Sequence, residues 1–109
     1  MSKTKYSLKG NPYIQKVLDI STGHITKSDS LLLSDASRGE SENPIVTYKY
    51  DYGFLVAVQD ERGVYSQAKK YGFSNQFIKI MRMALKLKLS FVKFDGDAIA
   101  YDDLKFFDW

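Results

Sequence analysis

The chain of 109 residues contains no cysteine, and that absence excludes disulfide bonds and thiolate zinc sites. A cytoplasmic setting is therefore expected. Residues 1–10 are polar and basic, with no apolar stretch behind them, so we do not expect a secretory signal peptide. Purely apolar runs extend for only a few residues, which argues against a membrane-spanning helix.

Histidine is also scarce, since His24 is the single one in the chain. The formal net charge of +3 argues against an acidic mimic of DNA, and it permits contact with nucleic acid without requiring it. The sequence has no glycine-rich phosphate loop, no zinc-ligand spacing and no pair of catalytic carboxylates. These absences favour a non-enzymatic protein that uses no cofactor and no metal.

Aromatic residues, by contrast, are abundant at 15% of the chain, with eight Tyr and seven Phe. Such a composition favours a sheet-rich core, a protein-binding surface, or both. The length fits one domain, which we place over residues 12–109. Residues 1–11 carry lysines without periodicity and are predicted to form a flexible amino-terminal tail.

Hydrophobic periodicity and turn residues predict an alternation of strands and helices. The first segment, 13–20, is predicted to be a strand, and a short helix over 13–17 is the competing interpretation. Thr26 or Ser28 is expected to cap a helix that continues through Ala36. The remaining predicted elements are strands over 45–50 and 54–58, a helix over 75–88, and strands over 89–94 and 98–101 around a tight turn; residues 66–71 are compatible with an additional short helix.

The helix over 75–88 has the clearest pattern, because its apolar residues share one arc and Lys79, Arg82 and Lys86 cluster on the other. The order β-α-β-β-α-β-β predicts an α+β fold. We expect an antiparallel or mixed sheet of four to five strands, with two helices on one face. A ferredoxin-like wiring, with the last strand added at an edge, is compatible with this order.

Three short motifs occur in a fixed order along the chain: Ile20-Ser-Thr-Gly-His-Ile25, then Tyr52-Gly-Phe-Leu-Val56, then Phe94-Asp-Gly-Asp97 with a terminal Asp108-Trp109. This series resembles a small bacterial family of unknown function, the DUF5983 family, in which the first motif reads ISTAHI. The resemblance covers most of the chain from Val17 onward. It implies an origin in plasmids, phages or other mobile elements, whose small proteins often block a host defence.

Ser21, Thr22 and His24 lie close together and, with Asp95 and Asp97, form a possible polar site. A nucleophile and a base would also need an orienting carboxylate and an oxyanion hole, which the sequence does not show. The favoured interpretation is that the first three residues satisfy backbone groups at a strand-to-helix junction.

The acidic residues near the end of the chain suggest a second reading of the same site. Asp95, Asp97, Asp102 and Asp103, together with His24, would offer ligands to a divalent cation. Their spacing does not match the calcium loop of the helix-loop-helix type. The favoured interpretation is that Asp95 shapes a turn and that the others are solvated.

Candidate partner-binding residues are tyrosines, which are enriched in protein interfaces, and the basic side chains of the long helix. They are Tyr48, Tyr50, Tyr52, Lys79, Arg82 and Lys86. Lys69 and Lys70, near the start of that helix, would extend the basic surface.

The terminal aromatic residues Phe106, Phe107 and Trp109 have two possible roles. They either fold back to close the core or insert into a partner, and the first is favoured because exposed apolar patches are uncommon in monomers. In that case the indole shares a dry interior with the apolar arc of the long helix.

The function predicted from these observations is protein–protein binding by a small non-enzymatic protein of a phage or plasmid, with inhibition of a host defence such as CRISPR as the first version to test. A nucleic-acid-binding accessory factor that uses the basic helix face is the alternative. A metal-dependent hydrolase built from His24 and the carboxyl-terminal aspartates is the second alternative.

Overall fold

A computed structural model describes residues 7–39 and 41–109 of the chain. Within these residues the chain forms four β-strands, three α-helices and one short 3-10 helix. In chain order they are β1 (Val17–Ser21), the 3-10 helix (Thr22–His24), α1 (Lys27–Ser37), β2 (Thr47–Tyr50), β3 (Gly53–Ala57), α2 (Val64–Tyr71), α3 (Asn75–Lys86) and β4 (Phe91–Asp95). The predicted α+β class is confirmed.

The strands form one mixed sheet in the order β1-β4-β3-β2. β1 runs parallel to β4, while β3 runs antiparallel to both β4 and β2. Ile20, Phe94 and Phe54 occupy paired register positions, and all three side chains are buried. Because paired residues point to the same face of a sheet, this row marks the covered face. The strand predicted over 54–58 is β3, and it lies inside the sheet between β4 and β2.

The return strand predicted over 98–101 is wrong. β4 is paired on one edge with β1 and on the other with β3, so no edge is free for a strand that folds back beside it. The tight turn itself is present, and the Asp97 N–H donates to Asp95 Oδ1 at 2.8 Å. The chain then crosses to β1, where the Ser21 N–H donates to the Ile99 carbonyl at 3.0 Å.

The ferredoxin-like wiring is also not formed, because that arrangement places the first strand between the third and the fourth. Here β4 lies between β1 and β3, and β1 is at the end of the sheet order. Element boundaries differ more modestly. β1 begins at Val17 and no helix forms over 13–17, α2 begins at Val64, and α3 ends at Lys86, two residues before Lys88 adopts a φ of 60°.

The core lies between α3 and the covered face of the sheet. Phe77, Ile80, Met81 and Ala84 of α3 are buried, as the helical arc predicts. The ring of Phe77 stacks on Phe73 with centroids 4.5 Å apart and lies 6.0 Å from the ring of Phe94. This aromatic contact joins the helix layer to the middle of the sheet, and α1 adds Leu33 to the same core.

Two helices begin at one buried carboxylate. Thr26 caps α1 in a capping box, in which the Asp29 N–H donates to Thr26 Oγ1 and the Thr26 N–H donates to Asp29 Oδ2, each at 3.0 Å. Asp29 also accepts from Ser74, the cap of α3, through its N–H at 2.8 Å and its hydroxyl at 2.5 Å. Asp29 is fully buried, so these bonds fix the start of α3 against the start of α1.

The predicted tail over residues 1–11 lies largely outside the described residues, since the structure describes it only from Ser7. Over residues 7–11, the Asn11 side chain donates to the Ser7 carbonyl at 2.9 Å, and the Asn11 N–H donates to the Leu8 carbonyl at 3.4 Å.

Candidate functional site

His24 is fully buried and both nitrogens of its ring contact the carboxyl-terminal segment. Nε2 accepts a hydrogen bond from the Tyr101 N–H at 2.8 Å, and Nδ1 lies 2.8 Å from the Lys105 carbonyl oxygen. A carbonyl only accepts and a backbone N–H only donates, so the proton is on Nδ1 and the ring is neutral. His24 is therefore a structural anchor for the end of the chain, and it has no free nitrogen to act as a base.

The end of the chain is docked along the same junction. The Phe107 N–H donates to the Gly23 carbonyl at 2.6 Å, and the Trp109 indole N–H donates to the Ile25 carbonyl at 2.9 Å. The ring of Phe106 meets His24 edge-on at 5.5 Å. The aromatic residues thus fold back onto the domain, as the favoured interpretation states.

The dry interior expected around the indole is not formed. Trp109 remains 53% exposed and Phe106 remains 56% exposed, because the chain docks on the surface of the junction through hydrogen bonds. Tyr101 and Leu104 pack against the core in their place. Deeper burial of the terminal rings is blocked at that junction, where Gly23 and His24 already occupy the interior.

The predicted polar site is brought together only in part. Ser21 and Asp95 are register partners on the parallel strands β1 and β4, so they lie side by side. Ser21 Oγ accepts from the Gly23 N–H at 3.1 Å, which caps the 3-10 helix, and the Thr22 carbonyl accepts from the Ile25 N–H at 3.2 Å. These bonds satisfy backbone groups at the strand-to-helix junction, whereas His24 points to the carboxyl-terminal segment.

Asp95 is the centre of a small network on the face of the sheet opposite to the core. The Tyr50 hydroxyl donates to Asp95 Oδ2 at 2.5 Å, and Lys93 Nζ lies 3.8 Å from the same oxygen. The Tyr50 bond, followed by the Asp97 N–H, holds the pKa of Asp95 below its ordinary value. Desolvation, followed by the bond to Asp95, raises the pKa of Tyr50, so this hydroxyl stays protonated and acts as a donor.

In the part of the chain that the structure describes, no three His, Asp or Glu side chains come together in a group that could hold a metal ion. His24 is bonded to the backbone through both nitrogens, and Asp95 is bonded to Tyr50. The hydrolase alternative therefore gains no supporting observation from the geometry.

The predicted partner-binding residues divide between two surfaces. Tyr48 and Tyr50 belong to β2 and point away from the core, and Tyr52 lies in the turn before β3. The basic residues of α3 lie on its exposed arc, on the other side of the molecule from the tyrosines of β2; they are Lys79, Arg82 and Lys86. A partner that binds to one side of the molecule therefore cannot contact both the tyrosines and the basic residues of α3.

The face of the sheet that carries Tyr48 has no helix over it within residues 7–39 and 41–109; we call it the open face. One row of this face crosses β1, β4 and β3, continues to Val46 just before β2, and is wholly apolar. β1 contributes Val17, β4 contributes Phe91 and β3 contributes Ala57, and the Ala57 N–H donates to the carbonyl of Val46 beside β2 at 3.0 Å.

The next row of the open face consists of register partners on all four strands, in the order Tyr48, Leu55, Lys93 and Asp19. A cleft of about 360 Å³ lies here, and Tyr50 and Lys49 complete its lining. Sequence reasoning found the tyrosines and missed the apolar row. The alternation of apolar residues in each strand is visible in the sequence, but only the register shows that they form one continuous strip.

None of the helices in the described ranges is long and apolar enough to cross a membrane.

Comparison with known protein families gives a match. The model of a family described as "Family of unknown function (DUF5983) C-terminal domain" matches residues 17–109, which is most of the chain. Neither the curated proteins nor the solved structures contain a match.

Proposed function

The chain belongs to the DUF5983 family, as its sequence motifs predict, and we propose that it is a non-enzymatic protein that binds another protein through the open face of its sheet. The observation that carries this proposal is the apolar strip of Val17, Phe91, Ala57 and Val46, which crosses the sheet without a helix above it.

The composition of the open face is what supports binding. An antiparallel sheet with one solvated face normally alternates apolar residues inside with polar residues outside. Here Val17 is 47% exposed, Val46 is 45% exposed and Tyr48 is 58% exposed, and all three lie on the outer face. Contiguous exposed apolar surface of this kind is typical of sites that contact another protein.

The chemistry of the partner follows from the same residues. Tyr48 presents an exposed ring whose hydroxyl has no hydrogen-bond partner among the described residues, and tyrosines of this kind often dominate binding energies. The Tyr50, Asp95 and Lys93 network lies at the border of the apolar strip and is already satisfied internally. The partner therefore presents an apolar surface with a hydrogen-bonding group opposite Tyr48.

The proposal includes the setting in which the protein acts. The chain is a cytoplasmic protein of a phage, plasmid or other mobile element, and its partner is a host protein, in the first instance a component of a defence system such as CRISPR. The resemblance of the sequence motifs to the family supports this part.

The test is capture of a partner from a bacterial lysate by the tagged protein and by two acidic variants. Tyr48→Glu places a charge on the open face, on the edge strand β2. Leu31→Glu is the matched control, because Leu31 is a large exposed apolar residue on α1, away from that face. The binding of the recovered protein is then measured by calorimetry with purified components.

We expect Tyr48→Glu to weaken binding by about 2 kcal/mol, as for an interface tyrosine that contributes strongly to binding, while Leu31→Glu binds like the parent protein. A partner that binds both variants equally well would refute the use of the open face. Recovery of the chain alone, with sedimentation showing a dimer that Tyr48→Glu dissolves, would show that the face joins two copies and would refute a host partner.

A further inference from the structure

A basic groove of about 540 Å³ lies between α2 and α3, in the helix layer. Lys69 and Lys70 line it from α2, and Lys79 and Arg82 line it from α3. All four side chains are exposed, and they are called the groove cations below. Asn75, in the first turn of α3, lies in the same groove.

The groove cations are not neutralised by neighbouring carboxylates. Over residues 7–39 and 41–109, ion pairs join Arg38 to Asp35 and Lys93 to Asp95, and none involves a groove cation. The sequence explains why: residues 64–94 contain seven Lys or Arg and none of the thirteen acidic residues of the chain. A helix surface that is only solvated usually mixes charges of both signs, so this segment carries an unusual local excess of positive charge.

Helix dipoles explain only part of this pattern. Lys69 and Lys70 lie in the last turn of α2, where cations stabilise the negative helix end. Lys79 and Arg82 lie in the middle of α3, where the dipole offers no such stabilisation. These two residues nevertheless face the same groove as the lysines of α2, so the groove concentrates charge from two helices.

We propose that the α2–α3 groove binds the phosphate backbone of nucleic acid. Asn75, Lys79, Arg82 and Lys86 are exposed at intervals of four, three and four residues, which places them in one stripe along α3. At about 1.5 Å per residue the stripe is about 16 Å long. Phosphates of one DNA strand follow each other at about 3.4 Å along the duplex axis, so the stripe can contact several in succession.

The lining of the groove favours nucleic acid over an acidic protein. Ile78 is its apolar residue, and its side chain is buried beneath the charged rim. Protein partners are usually held by exposed apolar residues, and the residues that line this groove include no exposed apolar one. Backbone phosphates need only well-placed cations and polar side chains, which are present. α2 and α3 are also joined by a three-residue turn that contains Gly72, a connection found in DNA-binding helix pairs.

This site is independent of the protein-binding proposal, because the groove lies in the helix layer and the open face lies on the other side of the sheet. Loss of one activity would leave the other intact, and both ligands have room to bind at once.

The experiment measures fluorescence anisotropy of a labelled 20-base-pair duplex and of a labelled single strand, from low to physiological salt, with the full chain. Four phosphate contacts predict a slope of log affinity against log salt of about −3.6 for the duplex and about −2.8 for the single strand. Lys79→Gln with Arg82→Gln should reduce the slope for the duplex by about 2, since each lost contact changes it by about 1.

The control is Lys16→Gln with Lys27→Gln, which removes the same net charge from two exposed lysines outside the groove and should leave the slope unchanged. Far-UV circular dichroism confirms that each variant is folded. The proposal is overturned by absence of binding at low salt, by equal slopes for the parent and the groove variant, or by an equal loss in the control. Equally tight binding of polyglutamate of the same charge would also overturn it.

Discussion

Replacing Asp29 by alanine removes the carboxylate that joins the first turns of α1 and α3. The side chain is fully buried and accepts three hydrogen bonds, one from the Thr26 N–H and two from Ser74. Alanine leaves two backbone donors without a partner in the interior, while the Ser74 hydroxyl can rotate. A buried donor left unsatisfied costs about 1–3 kcal/mol, so we expect a loss of about 3 kcal/mol in the free energy of unfolding.

This loss is a large fraction of the stability of a small domain, which is typically about 5–15 kcal/mol. It corresponds to a fall in Tm of about 15 °C for a domain of this size. Asp29→Asn keeps the shape and one acceptor oxygen, so it should lose about half as much. The assay is urea and thermal unfolding followed by far-UV circular dichroism.

Asp35→Ala is the matched control, since Asp35 lies on the same helix and its carboxylate makes solvated bonds to Arg38 at 3.1 Å, to the Tyr71 hydroxyl at 3.2 Å and to Ser41. Exposed pairs of this kind contribute little, so this variant should be much less affected than Asp29→Ala. If the two alanine variants unfolded at the same urea concentration, the assignment of Asp29 as the junction of two helix starts would be refuted.

Three further predictions concern the sheet and the carboxyl-terminal segment. Gly53→Ala places a Cβ only 1.8 Å from a backbone carbonyl oxygen of β4 and should lower the free energy of unfolding by about 3 kcal/mol, the upper range for overpacking; parent-like urea unfolding would contradict this. Gly23→Ala places a Cβ 2.2 Å from the Phe106 ring, which can turn outward, so a loss of about 1 kcal/mol and a shift in tryptophan fluorescence are expected, and unchanged fluorescence would argue against the docked tail. Tyr50→Phe removes the leading cause of the lowered pKa of Asp95, whose ordinary value is 3.8, so this pKa should rise in a carboxyl NMR titration. The lowered pKa of Asp95 stabilises the folded protein at pH values above the ordinary pKa of 3.8, and this stabilisation is lost as the pH falls through the pKa of Asp95 in the folded protein. The parent should therefore lose more stability in acid than the variant. An unshifted titration of Asp95 would refute the bond.

Local signals predicted the helices well. Ser74 caps α3 by accepting from the Phe77 N–H, and the apolar arc that the sequence shows is the arc that the core buries. The same holds for Thr26, whose capping box with Asp29 is formed within four consecutive residues. Such features depend on neighbours in the sequence, so they can be found without knowing the fold.

Features that join distant parts of the chain could not be predicted in the same way. A tight turn after β4 suggests a hairpin, and only the position of β4 between two other strands excludes the return strand. The partners of His24 are backbone groups of Tyr101 and Lys105, more than seventy residues later, and no local pattern indicates them. The open face likewise depends on strand register, which determines that residues from separate strands form one strip.

Binding of the partner protein to the open face of the sheet can be located by methyl cross-saturation NMR. The methyl-labelled chain is bound to the recovered, unlabelled partner, and saturation is transferred from the partner across the interface. If the partner covers the open face, we expect strong transfer to the methyl groups of Val17, Val46 and Leu55 and little to those of Leu31. Transfer confined to Leu31 or to the methyl groups of α3 would contradict it.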